Sequence, residues 1–139
     1  MTSWHLRVLL RIWMVVFGLG AIDFFFFPYQ TVQALNDAGA AVGMSGVPPI
    51  GAGQDFWLTL AVPYMLVVTA LSWLAQSGER IAAQPVQLLI FAKAASSLTS
   101  LALFLTYGYA YAFLGNFLLD GTIALVTYWF YREARAELA

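Results

Sequence analysis

Four stretches of this chain, at about 7–27, 55–75, 85–106 and 110–131, are each apolar for roughly 20 residues, and this feature restricts the fold more than any other. A strand crossing a bilayer needs only about 10 residues and alternates in polarity. These stretches are longer and do not alternate, so each reads as a helix long enough to cross a hydrocarbon core about 30 Å thick. Composition agrees: 62% of residues are hydrophobic and 9% charged, whereas soluble domains carry roughly a quarter charged residues. The expected fold is an all-α membrane protein, a single integral membrane domain over residues 1–139 with four transmembrane helices in an antiparallel bundle.

The breaks between the stretches are legible. After the second comes "AQSGERIAAQP", where Gly78, Glu79, Arg80 and Pro85 make a short polar turn. The third and fourth are separated only by "YGYA", which demands a tight helical hairpin. Arg7 and Arg11 precede an apolar stretch that ends near "GLGA", a pattern shared with cleaved leaders. The apolar run continues to Phe27, however, so a retained span is the reading adopted.

Basic residues near span ends stay on the cytoplasmic side. Arg7 and Arg11 precede the first span, Arg80 lies between the second and third, and Arg132 and Arg135 follow the fourth. The other two connections hold only Asp37 and Asp55, so both termini are expected in the cytoplasm and the protein in the cytoplasmic membrane. An aromatic girdle fits the same levels, with Trp4, Trp73, Tyr128, Trp129 and Tyr131 inside and Tyr29, Trp57, Tyr107, Tyr109 and Tyr111 outside. The long outer loop, 28–54, is rich in glycine; a short interfacial helix is expected around Thr31 to Ala41, followed by a loop through Pro48 and Pro49. Gly39 and Gly43 have the spacing of a helix-packing motif but lie outside any apolar span, and no packing role is read into them.

Ionisable residues within the spans carry the functional information, since a charge near the bilayer centre costs about 2.5–3.5 kcal/mol on insertion scales. Asp23, Lys93 and Asp120 qualify. "KAASSLTS" puts Lys93, Ser96, Ser97 and Ser100 on one helix side, and "NFLLDGTIALVT" puts Asn116, Asp120 and Thr127 on another. The tight hairpin brings Lys93 and Asp120 to depths about 4 Å apart, so they are expected to pair. Such a pair either fixes helix register or serves a site, and Ala92, Ser96 and Ser100 form a small-residue ridge that permits close approach without any ligand. Asp23 has no cation at its level. It is expected to be solvated from outside, protonated, or hydrogen-bonded by groups such as Asn116 or Thr99, behind the cover of Phe26 and Phe27. Pro63, within "LTLAVPYML", is expected to kink the second span, and Pro28 to close the first.

Several chemistries are set aside. Cysteine is absent, His5 is the lone histidine, and neither a phosphate-binding glycine loop nor a zinc motif occurs, so no metal or cofactor is expected. A net charge of −1 suggests no nucleic-acid partner. The long outer connection after the first of four short spans resembles the layout of small bacterial membrane families such as the DoxX-like proteins, a likeness of layout that carries no residue role.

Three readings of function stand at this point. The first is an accessory or structural membrane subunit, packed by its polar pair and contacting lipid, other subunits or copies of itself. The second is an intramembrane binding protein for a lipophile such as an isoprenoid, quinone or lipid, with Lys93, Ser96, Ser97, Ser100 and Asn116 as polar core. An isomerase or cyclase of that kind would use Asp23 or Asp120 as general acid. The third is an oligomeric proton or ion path through Lys93, Asp120, Asn116 and Asp23.

Overall fold

A computed structural model describes residues 2–47, 55–107 and 111–138. Among these the chain forms five α-helices: α1 (Thr2–Phe26), α2 (Pro28–Ala41), α3 (Leu58–Gln76), α4 (Ala83–Tyr107) and α5 (Tyr111–Leu138). A 3₁₀ turn, Asp55–Trp57, leads into α3. Four helices (α1, α3, α4 and α5) are long and apolar enough to cross a membrane. The hairpin residues 108–110, and with them Tyr109, lie outside the described residues, as do Pro48 and Pro49.

The two prolines nearest helix ends begin helices. α1 stops at Phe26 and Pro28 occupies the first turn of α2, where a missing N–H leaves no bond unmade. Pro85, expected in the turn, likewise falls within the first turn of α4. Pro63 lies inside α3, which continues unbroken to Gln76. α5 runs well beyond the expected end, since its last turns stay helical after the apolar stretch gives way to charged residues.

The helix expected from Thr31 to Ala41 is α2, and it starts three residues earlier. Its end explains both glycines. Gly43 has φ +73°, Met44 N–H donates to Gly39 O at 2.9 Å and Gly43 N–H to Ala40 O at 3.1 Å, the bond pattern of a left-handed glycine cap. Gly39 is buried, and a Cβ there would stand 2.7 Å from Tyr111 Cβ, so α2 can approach the start of α5 only because this residue is glycine. The packing role withheld from Gly39 on sequence grounds is therefore present, from the loop helix α2 against the start of α5. Asn36 then fastens the following chain, donating from Nδ2 to Val47 O (2.9 Å) and accepting from Val47 N–H (2.8 Å).

The four long helices touch in a closed cycle, α1 on α3, α3 on α4, α4 on α5 and α5 on α1. Pairs across the α4–α5 seam fall as Gln87–Tyr131, Lys93–Asp120, Ser97–Phe117 and Ser100–Asn116, so positions descend α5 as they ascend α4. The apolar core is one-sided. Leu6, Leu10, Val68, Ala75, Val86, Leu89, Ile123 and Ala134 pack solidly on one side of the Lys93–Asp120 level. Tyr131, expected in the interfacial girdle, belongs to this core and accepts a hydrogen bond from Gln87 Nε2 at 2.8 Å. Outward faces remain strongly apolar, with Leu19, Phe25, Leu60, Phe91, Leu105 and Leu125 exposed, more apolar surface than a soluble monomer shows.

The packed end is tied by arginine. Arg7 of α1 donates from Nη1 to Gln76 O (3.2 Å) and Gly78 O (3.1 Å), and from Nη2 to Glu79 O (2.8 Å). Those carbonyls lie at and just beyond the end of α3, where acceptors lack helical partners and the helix dipole favours a cation. Arg11 adds a bond from Nε to Gln76 Oε1 at 3.1 Å.

Candidate functional site

Beyond the ion pair the interior is hollow. Lys93 Nζ donates to Asp120 Oδ1 at 3.0 Å, with the two side chains only 2% and 3% exposed. The same ammonium lies 3.7 Å from the Phe17 ring centroid and 5.0 Å from that of Tyr64. A buried charge needs compensation, and here a carboxylate and two aromatic faces contribute to it. Tyr64 is itself fixed by donating from Oη to Ala92 O at 2.9 Å.

The α4–α5 seam is also polar at Ser96, Ser97, Ser100 and Asn116. Asn116 Nδ2 donates to Ser100 Oγ (2.7 Å) and Ser96 Oγ (3.3 Å), and Ser97 Oγ donates to Phe117 O at 2.8 Å. The seam is tight at Gly121, where a Cβ would stand 2.9 Å from Ser97 Oγ. Thr127, on the expected side of α5, is buried and accepts a bond from Trp13 Nε1 at 3.1 Å.

A cavity of about 550 Å³ opens above Lys93, Asp120 and Phe17. Every α-helix contributes to its wall: Phe24 from α1, Thr31 and Leu35 from α2, Tyr64 and Met65 from α3, Ser96 from α4, and Tyr111, Gly115 and Asn116 from α5. Trp57 joins them and meets Phe24 edge to face, 5.7 Å between centroids. Of the four consecutive phenylalanines, therefore, Phe24 turns inward, and Phe25, Phe26 and Phe27 are exposed. A second hollow of about 760 Å³ follows the α3–α4 seam and shares Trp57, Ala61, Tyr64 and Ser96 with the first.

Lys93, Ser96, Asn116 and Asp120 thus come together on one cavity wall, whereas Ser97 faces the far seam against Gly121 and Ser100 faces the α3–α4 groove. Asp23 does not join them. It is exposed, and its partner is Thr31, whose hydroxyl donates to Asp23 Oδ2 at 2.6 Å. Asn116 is occupied by the two serines and Thr99 lies in the α3–α4 groove, so neither serves Asp23 as expected, and Phe26 and Phe27 do not cover it. The link from Asp23 to the cavity is indirect, through the Thr31 side chain that lines it.

Sequence reasoning missed Phe17, Tyr64, Thr31 and Gly121, and took Trp57 and Tyr111 for interfacial anchors. Lys93 offered one usable signal, since a buried ammonium calls for aromatic faces at its own depth, and Phe17 and Tyr64 lie there. Comparison of the chain with protein-family models, curated proteins and solved structures finds no match.

Proposed function

We propose that this is a small integral membrane protein that binds a lipophilic molecule between its helices. The observation that carries the reading is the 550 Å³ cavity, which lies within the range of ligand sites, is walled by aromatic side chains and has few polar groups, with Lys93 and Asp120 its two charged ones. An accessory subunit packed by an ion pair needs no such space. The α3–α4 groove offers a route for a lipophile to enter from the bilayer, past the small residues Ala61 and Ser96 that it shares with the cavity beside Trp57 and Tyr64.

In this reading the four spans form an antiparallel bundle with both termini in the cytoplasm of a cell with the positive-inside bias, and α2 lies over the outer end of the cavity. The descending α4–α5 pairs support opposite directions for those two helices. Binding, not catalysis, is the role proposed, because Asp23 stands off the cavity and Asp120 is engaged by Lys93.

Mass spectrometry of protein extracted under gentle conditions tests the reading. A recurrent co-purifying lipophile in stoichiometric amount is expected. Repeated recovery of empty protein from native membranes would argue against it.

A further inference from the structure

The polar end of the cavity has a definite donor and acceptor pattern, and that pattern selects a head group. Lys93 carries three N–H donors and Asp120 takes one of them, through Oδ1. Among the described residues no group donates to Asp120 Oδ2. Asn116 spends its amide N–H groups on Ser96 and Ser100, and among the described residues no group donates to its carbonyl oxygen. The wall therefore presents an ammonium with donors to spare beside a carboxylate oxygen able to accept, and the two charges cancel.

Each class of head group meets this wall differently. A carboxylate or phosphate is drawn to Lys93 but brings a second anion against Asp120, and an amine meets the reverse conflict. A carbonyl can accept from Lys93 but gives Asp120 nothing. A hydrocarbon end leaves both groups facing apolar atoms, a costly burial for any polar group. A hydroxyl satisfies both, accepting from Lys93 Nζ and donating to Asp120 Oδ2. Resting on the reading that the cavity binds a lipophile, we infer that its ligand is a neutral lipophile with a hydroxyl head, an isoprenoid-type alcohol or a phenol, seated on the Lys93–Asp120 pair.

The experiment compares three ligands of one carbon skeleton, an isoprenoid alcohol, its carboxylic acid and its hydrocarbon, in equilibrium binding to the full-length protein in nanodiscs. Hydrogen bonds to charged groups contribute about 1.5–3 kcal/mol, so the alcohol is expected to bind roughly tenfold to a hundredfold more tightly than the other two. In the double variant Lys93→Met with Asp120→Leu that preference is expected to vanish. Acid or hydrocarbon binding as tightly as the alcohol to the unaltered protein overturns the hydroxyl assignment and leaves the cavity reading standing. Persistence of the preference in the double variant overturns it too. If none of the three binds the unaltered protein, the cavity reading itself fails and the assignment with it. The comparison on the unaltered protein decides the matter even if the double variant does not fold.

Discussion

The Lys93 ammonium is held 3.0 Å from the Asp120 carboxylate at the level where a solidly packed interior gives way to a hollow one. Removing one partner leaves the other charge buried and uncompensated. Lys93→Met alone and Asp120→Leu alone are each expected to cost about 3–5 kcal/mol, with most of that loss recovered in the double variant. Thermal unfolding in one detergent checks this. A double variant no more stable than the worse single one would show that the pair contributes more than mutual neutralisation.

Gly39, Gly43 and Gly121 differ in what surrounds them. Gly39→Ala puts a methyl 2.7 Å from Tyr111 Cβ, an atom that cannot move without its backbone, and a loss of about 1–3 kcal/mol is expected. Gly43→Ala meets open space but keeps φ at +73°, with an expected cost of about 1–2 kcal/mol. At Gly121 the obstacle is the Ser97 hydroxyl, which can rotate at the expense of its bond to Phe117 O, so Gly121→Ala should cost about 1 kcal/mol. Equal losses at Gly39 and Gly121 would contradict this order.

Arg7 binds three carbonyls beyond or at the end of α3 with both arms of its guanidinium. A lysine ammonium is a point charge and cannot reproduce that fork. Arg7→Lys is therefore expected to lose nearly as much as Arg7→Met, about 1–3 kcal/mol, with hydrogen exchange rising in residues 76–80. Full protection of that segment in Arg7→Lys would mean that charge alone suffices.

Thr31 connects α2 to Asp23 through a hydroxyl that valine lacks. Thr31→Val preserves shape and removes the bond, worth about 1 kcal/mol, so exchange at the start of α2 should speed up roughly fivefold. Unchanged exchange would mean that Gly39 and Asn36 alone hold the helix in place.

How much could be read from the chain follows from the range of each interaction. The four spans and the Lys93–Asp120 pair were legible because helix rise and a short hairpin fix which residues share a depth. Ser96 and Asn116 share the cavity wall with the pair, but the single polar side expected of α4 divides, with Ser97 on the far seam and Ser100 in the α3–α4 groove. The partner of Asp23 was not legible because Thr31 belongs to a helix whose direction is set by Pro28 and by the close Gly39–Tyr111 contact, neither visible as periodicity. Tyr131 was misread because a tyrosine near a span end suits an interface and a core equally well until Gln87 is seen beside it. The walls of the cavity were not legible, since they depend on which of the large side chains turn inward, and of the four phenylalanines Phe24 alone is only partly exposed.

One substitution tests the central claim most directly. Gly115 lines the cavity, and a Cβ placed there meets no atom within 4 Å. Gly115→Leu should therefore occupy ligand space without a clash, and it also replaces glycine within α5 by a better helix former, worth about 1 kcal/mol. Lipophile retained per protein is to be measured by mass spectrometry after identical gentle purification of the variant and the unaltered protein. The expected result is a variant at least as stable, with its bound lipophile lost. A stable Gly115→Leu protein that retains the same lipophile in the same amount would contradict the assignment of this cavity as the binding site.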